Sequence, residues 1–187
     1  RQGIEVGTFA GAMLIGYHAG ASHMGGVLSH TIGGTAFHEI RINGKVVPEA
    51  GINAATAGDF GVPVILASGD DVAMQEISEH LGDIVTVPVK WAYGTRSARS
   101  LTPNAAHEKL RAGVKTALSR IGSTQPLVIE KPVLEITFRN RLPAEFLSYL
   151  KFVERTDGYT IRYQGDDMVD VSKFIMFVLG FNSQLTF

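Results

Sequence analysis

Apolar residues run almost unbroken from Phe9 to Tyr17, FAGAMLIGY, and stop at His18. A short apolar run without alternation predicts a strand buried on both faces, as in a parallel sheet covered by helices. The next stretch, Ala19 to Gly34, is rich in glycine and has neither a helical nor a strand period. We read it as a long ordered loop, a feature that is usually functional in a compact domain. Glu39 to Ile42 and Lys45 to Val47 alternate on either side of Asn43-Gly44. Asn and Gly tolerate the positive φ of a type I′ turn, so the pattern predicts a β-hairpin with a two-residue turn.

The pattern continues with a small-residue helix over Glu49 to Phe60 and a second buried strand over Val62 to Ala67. Asp70 or Asp71 is placed to cap a helix reaching about Leu81. Ile84 to Trp91 predicts a strand. Thr102 as N-cap and Pro103 at the first helical position open a helix to Ile121. Beyond it we expect a strand over Val133 to Phe138 and a short helix over Pro143 to Leu150. Strands near Lys151 to Arg155 and Tyr159 to Tyr163 follow, then a last helix from Asp167 to Leu179. Its apolar segment Phe174 to Phe181 reads as buried. Such alternation indicates an α/β fold: a layered α/β/α core with a mixed, mainly parallel sheet, a β-hairpin and a smaller C-terminal α+β portion.

Composition narrows the chemistry. The 187 residues are 45% apolar and 19% charged with a net charge of −1, and the basic residues are scattered. Nucleic acid is thereby disfavoured as a partner, because phosphate neutralisation needs a basic patch. No stretch approaches the roughly 20 apolar residues that span a bilayer, so no membrane partner is expected. There is no cysteine, which leaves His, Asp and Glu as the possible metal ligands. A cytoplasmic location is expected. The chain opens on Arg1 rather than Met and turns apolar within ten residues, so we expect residues upstream of it.

Six histidines are present. His80 and His107 fall on polar helix faces, and His38 begins the hairpin. His18, His23 and His30 instead crowd around the glycine-rich loop that follows the first strand. Ligands of open α/β sheets sit beyond the carboxyl ends of strands, where His18 is the first polar residue. Imidazole can serve there as a metal ligand or as a proton carrier, and equally as a hydrogen-bonded structural group. Glu49 opens a helix with few other ionisable residues. It reads either as a functional acid or as a carboxylate favoured by the helix dipole. Asn53 shares its face one turn on. Asp70 is a candidate with a capping alternative.

Taken in order, Gly16-Tyr17-His18-Ala19 with Ser22, Ser29-His30-Thr31 and Glu49-Ala50-Gly51-Ile52-Asn53-Ala54 resemble the zinc-dependent D-aminopeptidase family. So do Gly58, Val62-Pro63-Val64, Ala67-Ser68-Gly69-Asp70-Asp71, Val89-Lys90, and Ser97-Ala98 through Leu101-Thr102-Pro103. The resemblance implies a metallo-aminopeptidase that removes the N-terminal residue of short D-amino-acid peptides at a two-zinc centre (Zn2+). It implies His18 and Glu49 as zinc ligands and His30 as the catalytic group. Asn53, His23 and Asp70 are weaker substrate-binding candidates. The family's other ligands, an Asp-x-Glu and a further His, lie upstream of Arg1, so the 187-residue segment alone is expected to bind zinc poorly and to be inactive. The spacing from His18 to His30 is one residue longer than the family pattern, which leaves His23 as an alternative to His30. A ring-like homo-oligomer, typically a decamer, is implied as well. The other readings are a non-catalytic peptide-binding or transport-accessory protein on the same scaffold, and another zinc-dependent amide hydrolase. We assign residues 1–125 to a metal-site α/β core lacking its beginning and 126–187 to the C-terminal α+β portion.

Overall fold

The computed structural model describes residues 3–182. After a single 3₁₀ turn, Ile4–Val6, the chain enters β1, Ala12–Tyr17. Four strands form the first sheet in the order β1-β4-β5-β6. β1, β4 (Val64–Asp70) and β5 (Val85–Gly94) run parallel, and β6 (Ser97–Ser100) returns antiparallel to β5. β4 is buried along its whole length, through the expected apolar run to Ala67 and past it to Ser68, Gly69 and Asp70.

Helices cover both faces of this sheet. On one side α2, Asp71–Leu81, buries Ala73, Met74 and Ile77 together with Ala50 and Ala54 of α1, Glu49–Gly58. On the other side α3, Pro103–Ser119, brings Leu110, Val114 and Ala117 onto Ile65, Leu66 and Val87. Asp70 caps α2 by accepting from the Ala73 N–H at 3.0 Å, and Thr102 caps α3. The layered, mainly parallel architecture is as expected.

β1 departs from the expected strand buried on both faces. Among the described residues it pairs only with β4, so it lies at the sheet edge, and Ile15 is 55% exposed. An unbroken apolar run cannot distinguish a central strand from an edge strand, because both bury the face that meets a helix. Gly16, with φ 79°, interrupts the pairing between Ile15 and Tyr17, a bulge that re-aims the end of the strand.

The second sheet is antiparallel, with order β3-β2-β7-β9-β8. It contains β2 (Phe37–Ile42), β3 (Lys45–Val46), β7 (Val133–Phe138), β8 (Val153–Arg155) and β9 (Thr160–Gln164). The hairpin turn is as predicted, with Asn43 and Gly44 at φ 51° and 76°. Its first strand pairs with β7, Ile40 opposite Ile136, so a hairpin from residues 37–46 completes the sheet of the C-terminal segment. Phe37, Ile40, Ile136, Phe138 and Ile161 fill the core between this sheet and α5, Met168–Asn182, with α4, Arg141–Leu147, closing one end.

The apolar segment expected to be wholly buried in α5 is buried on one face only. Ile175 and Val178 are inaccessible, while Met176 is 49% and Phe177 53% exposed, because α5 packs by one stripe and those two residues lie off it. The last five residues of the C-terminal portion lie outside the described residues. α1 joins the two halves. Its Ala50 and Ala54 face the first core and its Ile52 and Ala55 the second, which a helix of small residues can do without spreading its neighbours.

Candidate metal centre

Tyr17 ends β1 and His18 follows at once, at the carboxyl end of the parallel sheet. Gly69 of β4 lies against this point. A Cβ there would run into the Tyr17 carbonyl, so glycine lets β1 close onto β4 and seats His18. The loop from Ala19 to Gly34 then folds back. The His30 N–H donates to the Ala19 carbonyl at 3.1 Å, the Ala21 N–H to Thr31 Oγ1 at 3.1 Å, and the Gly20 N–H to Glu76 Oε2 of α2 at 2.7 Å.

The result is a pair of stacked imidazoles. The His18 and His30 ring centroids are 3.7 Å apart with planes 15° from parallel. Glu49, first residue of α1, approaches with Oε2 3.7 Å from His18 Nε2. One donor atom from each of His18, His30 and Glu49 lies within 4.8 Å of the others. All three are half-buried, an open rather than a sealed arrangement.

Backbone groups hold each side chain. His18 Nδ1 donates to the Ala19 carbonyl at 3.2 Å and His30 Nδ1 to the Leu28 carbonyl at 2.7 Å. A carbonyl only accepts, so the neutral form of each ring carries its proton on Nδ1 and turns the Nε2 lone pair away from the backbone. Glu49 Oε2 accepts from the Ile32 N–H at 2.9 Å. The helix-dipole reading of Glu49 is therefore incomplete, since its carboxylate reaches across to the histidine loop. Leu28 and Ile32 both have positive φ, 49° and 61°. That region is disfavoured for any side chain and most of all for a β-branched one, and such strain gathers at functional sites. Sequence reasoning missed both residues, because Leu and Ile in a loop carry no signal of a left-handed backbone.

The other candidates have contacts of their own. Asn53 Nδ2 donates to the Tyr17 hydroxyl at 2.7 Å, tying α1 to the end of β1. His23 is exposed, and its Nδ1 accepts from the Gly25 N–H at 3.1 Å. Asp70 is buried as the cap of α2.

Two imidazoles and a carboxylate are a zinc donor set. Zinc–ligand bonds of roughly 2.0–2.2 Å place neighbouring tetrahedral donors a little over 3 Å apart, close to the His18–Glu49 separation. His18 Nε2 and the Glu49 carboxylate fit the ion as ligands, and His30 Nε2 stands beside them.

The family model described as D-aminopeptidase matches residues 1–177. The chain belongs to the D-aminopeptidase family. It is 35% identical over 165 residues to a D-aminopeptidase of Bacillus subtilis (strain 168), a match covering 87% of this chain and 60% of that protein. The fold matches a solved structure described as the Zn-dependent D-aminopeptidase DppA from Bacillus subtilis, a self-compartmentalizing protease, with TM-score 0.85 and 32% identity. That match covers 91% of this chain and 62% of the other. The chain thus spans about three fifths of the length of the relatives it matches. Among the described residues, no helix is long and apolar enough to cross a membrane.

Proposed function

We propose that this chain carries the His–His–Glu part of the active site of a zinc-dependent aminopeptidase that removes the N-terminal residue of short D-amino-acid peptides. The observation that carries the reading is the convergence of His18, His30 and Glu49 from a strand end, a loop and a helix start onto one point. His18 Nε2 and the Glu49 carboxylate are the ligands. Zinc, when bound, supplies Lewis acidity toward a peptide carbonyl and toward water.

The chain's own residues do the rest. The Ile32 N–H holds one Glu49 oxygen and thereby sets the carboxylate's rotamer. His30, stacked on His18, keeps Nε2 free to take a proton from attacking water and return it to the departing amine. The two-zinc count and the ring-like, decameric assembly belong to the same proposal. What supports its coarser part is family membership and a solved neighbour described as Zn-dependent and self-compartmentalizing.

The test is calorimetric zinc titration of the full-length protein beside its hydrolysis of D-alanyl and L-alanyl dipeptides. We expect zinc binding that Glu49→Gln weakens, with turnover of the D-dipeptide. Zinc-independent behaviour, or binding of D-peptides without turnover, would overturn the peptidase assignment.

A further inference from the structure

Leu28 sits in the left-handed region, φ 49°, yet its side chain is 57% exposed. Burial of the leucine therefore does not account for the conformation. Its two backbone groups do. The N–H donates to the Thr95 carbonyl at 2.8 Å, in the two-residue turn between β5 and β6. The carbonyl accepts from His30 Nδ1 at 2.7 Å. One strained residue thus joins the β5–β6 turn to the imidazole.

We propose that Leu28 is a positioning residue: its left-handed backbone, pinned by the Thr95 carbonyl, fixes His30 in the Nδ1–H tautomer and leaves Nε2 as the proton-accepting atom. A histidine's tautomer and ring orientation are set by the partner of its other nitrogen. In the Nε2–H tautomer the ring's one lone pair would lie on Nδ1, against the Leu28 carbonyl oxygen and away from the open side of the site. The conformation also rotates the Leu28 carbonyl onto its own loop instead of toward water. The β5–β6 hairpin therefore supports the site through its backbone. The catalytic meaning rests on His30 being the proton-transfer group; the tautomer does not.

Substitutions at Leu28 separate backbone from side chain. Leu28→Gly and Leu28→Asn tolerate positive φ, whereas Leu28→Val resists it. The readout is nitrogen-15 NMR of histidine-labelled full-length protein, stripped of metal with a chelator, in alkaline buffer. We expect His30 protonated on Nδ1 in the unsubstituted protein and in the Gly and Asn variants, and a tautomer mixture in the Val variant. With zinc restored, Leu28→Val lowers kcat roughly ten- to a hundredfold with KM little changed, while Leu28→Gly and Leu28→Asn keep kcat. A role for the side chain alone would instead make Val the mildest change. Finding His30 protonated on Nε2 in the unsubstituted protein, or Leu28→Val matching Leu28→Gly in both readouts, overturns the proposal. If no variant turns over D-peptides, the peptidase reading fails and the tautomer result still decides the role of Leu28.

Discussion

The two halves of the molecule use backbone in opposite ways. In the antiparallel half, the main chain of β2, β7 and β9 pairs in regular ladders, and side chains do the packing. Phe37 and Phe138 meet edge to face with centroids 5.9 Å apart, and Tyr163 stacks on Phe174 at 4.0 Å. On that sheet Arg162 lies between Glu135 and Glu154, at 3.0 and 3.1 Å. In the histidine loop the main chain is the ligand-holding material. Carbonyls of Ala19 and Leu28 orient the two imidazoles, and the Ile32 N–H orients Glu49. Two of these three groups come from residues in a disfavoured conformation. The regular half can stabilise a neighbour that is strained for function.

That division is open to attack. The largest effect belongs to Glu49→Gln, expected to lower kcat/KM of the full-length enzyme by about a hundredfold or more, because it removes a ligand charge and not merely an outer partner. Its denaturation midpoint should scarcely move, since the amide oxygen can still accept from the Ile32 N–H. A large stability loss would mean that the site also holds the fold.

The converse variant is Ile136→Ala in the antiparallel core. The side chain is fully buried, so truncation should cost about 2–5 kcal/mol in denaturant unfolding. Zinc affinity of the fraction that remains folded should be unchanged.

Asp70→Ala should cost about 1 kcal/mol through loss of the α2 cap, and Asp70→Asn much less, because its amide oxygen can still accept from Ala73. Unchanged KM in Asp70→Asn would separate the capping role from the substrate-binding one; a large rise in KM would restore the latter.

The smallest effect lies in alkali. Burial, then the hydrogen bond to Asp170, push the Tyr163 phenol up to about 12. The folded chain then keeps a proton that the unfolded chain, near 10, releases. This contribution to stability is complete below the unfolded value and fades as pH rises through the folded one. Ultraviolet titration should show a late phenol that Tyr163→Phe removes. If the late component survives in that variant, the assignment to Tyr163 is wrong.

Legibility in the sequence followed the range of the interactions involved. Asn43-Gly44 forms the predicted turn, and Thr102-Pro103 opens the predicted helix. Val133–Phe138 alternates in burial as a half-exposed strand should. All three are decided by neighbours within a few residues. β6, Ser97–Ser100, was not predicted. Four exposed residues of mixed type bear no pattern, and only pairing with β5 makes them a strand.

His18, His30 and Glu49 could be named from residue type and family resemblance, since those features are written in the chain. Their stacking, the 3.7 Å approach of the carboxylate and the positive φ of Leu28 and Ile32 could not. The sequence by itself determined the turns, the caps, the apolar faces and the candidate donors, all set by local sterics and by the period of burial. Only the tertiary structure decided that β1 pairs with β4 alone among the described residues, that the hairpin completes the C-terminal sheet, and which backbone groups hold the histidines. The strand pairings join residues tens of positions apart. The histidine contacts span only one and two residues, but the loop that makes them is held by partners as distant as Thr95 and Glu76, which no local preference encodes.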